Sequence, residues 1–137
     1  TQGIRVEQVV DPATLEIFEH ILIEGFEFDE MQDSAPGALL SPALLQDARF
    51  GAWLAYLDGL PVAAGASLVE AGIVDVTLVA TLPAARRRGA GLAVTQAAAR
   101  PELGLPAVLL SSDEGRSVYE RLGFVPVLRG SFWYRNR

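Results

Sequence analysis

Six consecutive residues, Arg86-Arg87-Arg88-Gly89-Ala90-Gly91, combine the two features that hold a phosphate group: cations and glycines. Gly89 and Gly91 let the backbone bend and approach a ligand with no Cβ in the way. The segment sits between a β-branched run and an Ala/Leu/Gln-rich stretch with helical character, so it reads as a strand-to-helix loop. The first amides of such a helix have no internal partner, and with the helix dipole they form an anion site. The three arginines are a basic cluster in a chain whose net charge is −6. The plain alternative is a solvated basic loop. The Gly-Lys-Ser/Thr of a Walker loop is missing. A dinucleotide fingerprint would follow the first strand of a parallel sheet, whereas three antiparallel strands precede this loop.

Other chemistry is narrowed by composition. With no cysteine, disulfides, thiolate metal sites and a thiol nucleophile are excluded. The one histidine, His20, lies in an expected helix and reads as a surface or partly packed residue. No nucleophile motif surrounds any serine. The acidic balance argues against nucleic acid as a partner. No run approaches the roughly 18 apolar residues of a membrane span, so no membrane partner is expected and the cytoplasm is the default location. All eleven basic residues are arginine, which reads as a GC-rich, bacterial coding bias. The start, Thr1-Gln2-Gly3, lacks both an initiator methionine and a signal-peptide pattern, so the chain reads as trimmed or cut from a longer protein.

The elements that would position the loop follow from periodicity and turn residues. Ile4–Val10 alternates as a first strand. Asp11-Pro12 starts a helix with Leu15, Phe18, Ile21 and Leu22 on one face, stopping near Gly25. Phe26 to Leu45 reads as a loop with a short helix from Ser41-Pro42. Arg49–Leu57, Pro61–Glu70 and Ile73–Leu82 read as a meander, turning at Asp58-Gly59 and Ala71-Gly72. A helix from Gly89 or Ala90 to Arg100 follows. Pro106–Leu110 is fully apolar and reads as a strand buried on both faces. Ser111-Ser112-Asp113 offers an N-cap for a helix with Val118, Tyr119 and Leu122 on one face, capped by Gly123. Phe124–Leu128 and Ser131–Tyr134 read as two last strands. The 137 residues fit one domain, 1–137, of α/β (α+β) class.

The run Val79 to Gly91 resembles the acetyl-CoA signature of the GCN5-related N-acetyltransferases, whose core is Q/R-x-x-G-x-G/A. Val118-Tyr119-Glu120-Arg121-Leu122-Gly123-Phe124 resembles that family's second signature. The resemblance covers Arg49 to the end well and the first half loosely. It implies a mixed, mainly antiparallel sheet of six to seven strands, splayed into a notch between strands 4 and 5. Pantetheine would pair there with strand 4 as an added strand, facing backbone groups of Leu78, Val79, Ala80 and Thr81. The amides of Arg86, Arg87, Arg88, Gly89, Ala90 and Gly91 would hold the pyrophosphate, with Arg86 at the Q/R position.

The implied activity is acetyl transfer from acetyl-CoA to an amine by direct attack. Tyr119 stands where the family protonates the leaving thiolate; a phenol with pKa about 10 can donate to it. For the general base, Asp75 is a candidate, alternating with Thr77 on one face of the strand, and Glu70 is another; either reads equally as a solvated carboxylate. The acceptor is a small-molecule or peptide amine. The acidic lead-in, Glu24, Glu27, Asp29, Glu30 and Asp33, would suit a cation, and Phe26, Phe28 and Met31 are candidates to shape its pocket. Asp113 and Glu114 depart from the family by placing acid near the cofactor. A homodimer through Phe132-Trp133-Tyr134 is a further expectation. The rival reading is an inactive acyl-CoA-binding regulatory module of the same fold.

Overall fold

The computed structural model describes residues 3–26, 35, 37–112, 115–131, 133 and 135. Strand β1 (Ile4–Gln8) leads to helix α1 (Pro12–Gly25), then to a short 3₁₀ helix (Pro42–Gln46). Strands β2 (Phe50–Leu57), β3 (Leu60–Glu70) and β4 (Ile73–Thr81) follow, then helix α2 (Ala90–Ala98), strand β5 (Ala107–Leu109) and helix α3 (Arg116–Arg121). The sheet order is β1-β2-β3-β4-β5. The first three pairings are antiparallel and β4–β5 is parallel, closed by the α2 crossover.

The local reasons match the residue types. Asp11 caps α1 by accepting from the Thr14 amide at 2.9 Å, with Pro12 in the first turn. That bond holds the Asp11 carboxyl below its ordinary pKa. Both hairpins turn through paired left-handed residues, Asp58 and Gly59 (φ 51° and 86°) and Ala71 and Gly72 (φ 53° and 76°), as two-residue loops require.

Helices cover both faces of the sheet. α1 lays Leu15, Phe18, Ile21 and Leu22 on Ala52, Leu54, Ala64, Ala66 and Ala80. On the other face α2 sets Ala90 and Val94 against Ala55, Val62 and Ala63, and Ala98 against Val74 and Val76. The small residues of β3 make this possible: a Cβ on Gly65 would meet Val94 Cγ2 at 3.2 Å. Truncating the fully buried Phe18 to alanine costs about 3–5 kcal/mol on this basis.

Three expectations are corrected at the C-terminal side. β5 is three residues long and is not buried on both faces: Val108 is 48 % exposed and Leu110 84 %. It is covered on one face: Ala107 and Leu109 pack against Val74, Val76 and Ala98, while Val108 between them points the other way. Residues 124–128 form no strand; Val125, Val127 and Leu128 are exposed and have no ladder partner, giving five strands among the described residues. The Ser131–Tyr134 segment lies partly outside the described residues. α3 begins at Arg116 instead of after Ser111-Ser112-Asp113, and the Ser112 hydroxyl accepts from the Gly115 amide one turn earlier. Asp113 and Glu114 lie outside the described residues.

Candidate functional site

The C-terminal half of β4 has a different geometry from its first half. Pairing with β5 covers Val74 to Val76, opposite Ala107 to Leu109. From Thr77 to Thr81 β4 has no strand partner on that side among the described residues. On the other side the ladder slips. Ala64 faces Ala80 but Ala66 faces Thr77, so two steps on β3 oppose three on β4. This is a β-bulge, and Leu78 carries it with φ 53°, a left-handed conformation costing an L-residue roughly 1–2 kcal/mol. Such strain persists only where the surroundings enforce it, and it clusters at sites that need re-aimed backbone.

The register also fixes where the peptide groups point. The Leu82 amide donates to the Val62 carbonyl at 2.9 Å, and Ala80 faces Ala64, so Leu82 and Ala80 turn toward β3. By strand alternation the peptide groups of Val79 and Thr81 turn away from it, toward the side β5 leaves uncovered.

β4 then runs through a 3₁₀ turn (Pro83–Ala85) into the basic loop. Arg87 (φ 65°) and Gly89 (φ 89°) are both left-handed, and Gly89 caps α2. The first intrahelical bond is from the Ala93 amide to the Gly89 carbonyl. The amides of Ala90, Gly91 and Leu92 therefore precede the hydrogen-bonded part of α2 and have no intrahelical acceptor. Arg87 and Arg88 are exposed beside them, while Ala90 is buried against Ala55, Ala63 and Ala85, a niche that a larger residue would overfill. Gly91 lies against the end of β4, where an added Cβ would meet Thr81 Oγ1 at 3.1 Å.

Arg86 behaves differently from its neighbours. Its Nη2 donates to the Gly25 carbonyl at 2.9 Å and its Nε to the Thr81 carbonyl at 3.3 Å. Its side chain is thus engaged with backbone through Nε and Nη2.

Tyr119 lies in α3, which packs on α2. Its ring stands edge-on to Phe124 at 6.4 Å between centroids, and its carbonyl accepts from the Phe124 amide. Burial raises its phenol above the ordinary pKa. Asp75 is exposed on β4, paired between Leu68 and Val108. Glu70 sits opposite Ile73 and pairs with Arg49 at 3.6 Å. Five residues separate Ile73 from Leu78, roughly 16 Å along a strand, so Glu70 is remote from the bulge. His20 lies on the surface of α1 beside Glu24 at 3.5 Å, and Phe26 caps that helix, 41 % exposed. Phe28 and Met31, with Glu27, Asp29, Glu30 and Asp33, lie outside the described residues.

The structure thus brings Thr81, Arg86 and Gly91 together. One contributor escapes a sequence reading: Glu19. Its carboxylate, 5 % exposed, accepts from the amides of Gly37, Leu39 and Leu40 at 2.8–3.0 Å and fixes the chain returning from the connection after α1. The signal was a charge on the apolar stripe of α1, between Phe18 and Leu22.

Similarity to known structures is clear at the level of fold. A GCN5-related N-acetyltransferase from Ralstonia eutropha JMP134 superposes with a TM-score of 0.68 at 23 % identity, over 96 % of this chain and 99 % of that one. An aminoglycoside acetyltransferase from an uncultured soil metagenomic sample gives 0.73 at 17 % identity, over 98 % and 97 %. A GCN5-related N-acetyltransferase from Kribbella flavida gives 0.68 at 29 % identity over 92 % of this chain, which spans about half (48 %) of that one. A Pyrococcus horikoshii structure is likewise matched over 44 % of its length. No family profile and no curated sequence matches the chain. The chain has the fold of the GCN5-related N-acetyltransferases. Among the described residues no helix is long and apolar enough to cross a membrane.

Proposed function

We propose that this chain, as a single domain, is an acetyl-CoA-dependent N-acetyltransferase acting on a small-molecule amine. The observation that carries the reading is the bulged end of β4, uncovered on its β5 side, running directly into the Arg86–Gly91 loop and the start of α2. The residues present suit coenzyme A. An extended arm would pair with the peptide group of Val79 and the amide of Thr81 in the notch beyond Leu109, in the manner of an added strand. The pyrophosphate would lie against the amides of Ala90 to Leu92, with Arg87 and Arg88 supplying charge. Acetyl-CoA supplies the activated thioester.

The remaining work falls to side chains. Tyr119, held protonated by burial, donates a proton to the leaving sulfur. Asp75 lies three residues before Leu78, roughly 10 Å along the strand, so as the base it would take the amine proton through a chain of waters and not directly. The acceptor class is suggested by relatives: one matched enzyme is an aminoglycoside acetyltransferase solved with sisomicin, and another is the glucosamine-6-phosphate N-acetyltransferase of Arabidopsis thaliana.

Calorimetric titration with acetyl-CoA, followed by thiol release over a panel of amino sugars and polyamines, tests the reading. Micromolar binding with amine-dependent release is expected. No binding near millimolar acetyl-CoA would sink it. A second reading, an acyl-CoA-binding module without transfer, is favoured by the match to about half of two longer chains. Tight binding with no turnover of any amine would select it.

A further inference from the structure

We propose that Arg86 is a positioning residue that couples occupancy of the phosphate loop to the end of α1, and that its side chain is not a phosphate ligand. The proposal rests on the cofactor reading above and adds a role that reading does not contain.

Three chain segments meet at this one guanidinium. Nη2 bonds the Gly25 carbonyl, at the C-terminal end of α1, at 2.9 Å; Nε bonds the Thr81 carbonyl, at the end of β4; and the Arg86 backbone opens the loop. A planar fork of fixed donors suits two carbonyls at an angle, which an ammonium on a flexible stem does not reproduce. The last carbonyls of α1 have no intrahelical donor and carry the negative end of its dipole, so a cation is favoured there.

Close packing locks the same junction. A Cβ on Gly25 would stand 2.9 Å from Ala80 Cβ and 3.3 Å from the Thr81 carbonyl oxygen, so the end of α1 lies directly on the end of β4. All three arginines are exposed, and among the described residues it is Arg86 whose side chain is hydrogen-bonded to the backbone of two other segments. An anion drawn to the amides after Gly89 orders the loop that begins at Arg86. Through the two carbonyls it thereby orders Gly25 and Phe26, whose amide bonds back to the Leu22 carbonyl at 2.9 Å. Linkage makes the effect reciprocal.

The test compares the intact wild-type chain with Arg86→Lys, taking Arg87→Lys as control, by calorimetry with coenzyme A and by amide hydrogen exchange. In wild type, saturating coenzyme A should slow exchange at Gly25 and Phe26 by about tenfold, within the usual range of coupling. In Arg86→Lys, affinity should stay within about threefold while the slowing disappears, and ligand-free exchange at Phe26 should rise. Persistent slowing in Arg86→Lys would overturn the proposal. So would a large affinity loss specific to that variant, which would make the side chain a phosphate ligand. If wild type does not bind coenzyme A, the cofactor reading fails by itself. The tether is then judged on ligand-free exchange, where equal rates in wild type and Arg86→Lys would refute it.

Discussion

Gly91→Val separates binding from folding. Gly91 is the second residue of α2, so valine gains a little helix propensity over glycine there, about 0.4 kcal/mol. Against this, the new Cβ would lie 3.1 Å from Thr81 Oγ1, so the hydroxyl must shift by a few tenths of an ångström. The two effects oppose each other, and the melting temperature should move by no more than a few degrees. Binding has no such compensation. The branched side chain fills the crease between the end of β4 and the start of α2, where the anion and the extended arm would both pass. Displacing the anion loses at least one charge-assisted hydrogen bond, about 1.5–3 kcal/mol. That corresponds to a Kd for acetyl-CoA raised roughly 10- to 150-fold, whereas Gly91→Ala, at a position where the signature accepts either Gly or Ala, should bind much as wild type does. Isothermal titration at two salt concentrations, with a parallel thermal melt, reads both quantities. A Kd within twofold of wild type at unchanged stability would show that no anion approaches α2 here, and the loop assignment would fall.

Tyr119→Phe should lower kcat by about 10²–10³-fold with little change in acetyl-CoA affinity, because a positioned acid contributes on that scale; equal kcat would remove Tyr119 from the chemistry. Burial raises the phenol's pKa, so its proton is retained through pH 10 and the wild-type activity should fall only above that, in step with some loss of stability. A basic limb that survives in Tyr119→Phe would assign it to another group. Glu19→Gln should destabilise the fold by about 2–4 kcal/mol, since one amide oxygen cannot serve three backbone donors and its NH₂ opposes them. Urea unfolding measures this, and an unchanged midpoint would contradict it.

The parts of the fold that sequence reveals are those written in local chemistry. Asp11-Pro12 caps α1, Asp58-Gly59 and Ala71-Gly72 turn the hairpins, and the basic loop precedes α2, each where its residue types require it. The reading failed where the outcome depends on what covers a segment. Ala107–Leu109 and Phe124–Leu128 have equally good strand composition, but a strand also needs a neighbour, and composition does not say whether one is in place. Glu19 was hidden for a related reason: a carboxylate on an apolar stripe is explained only by amides 18 to 21 residues away.

Leu78 is the most instructive case. Leucine gives no hint of a left-handed backbone, and nothing local demands one. The bulge is imposed from outside, by β3 pairing in register on both sides of the slip and by α1 and α2 holding Ala80 and Val76 on opposite faces. Its effect is to deny β4 a regular partner on the β3 side over the same residues that β5 leaves uncovered on the other. Two interruptions thus fall at one place, and each leaves backbone groups without a ladder and so carries a cost. Arg86 already occupies the Thr81 carbonyl. The peptide group of Val79 and the amide of Thr81 are then what an extended ligand would meet on that side, next to the amides of α2. On the proposed cofactor reading, the strain at Leu78 is the cost of presenting Val79.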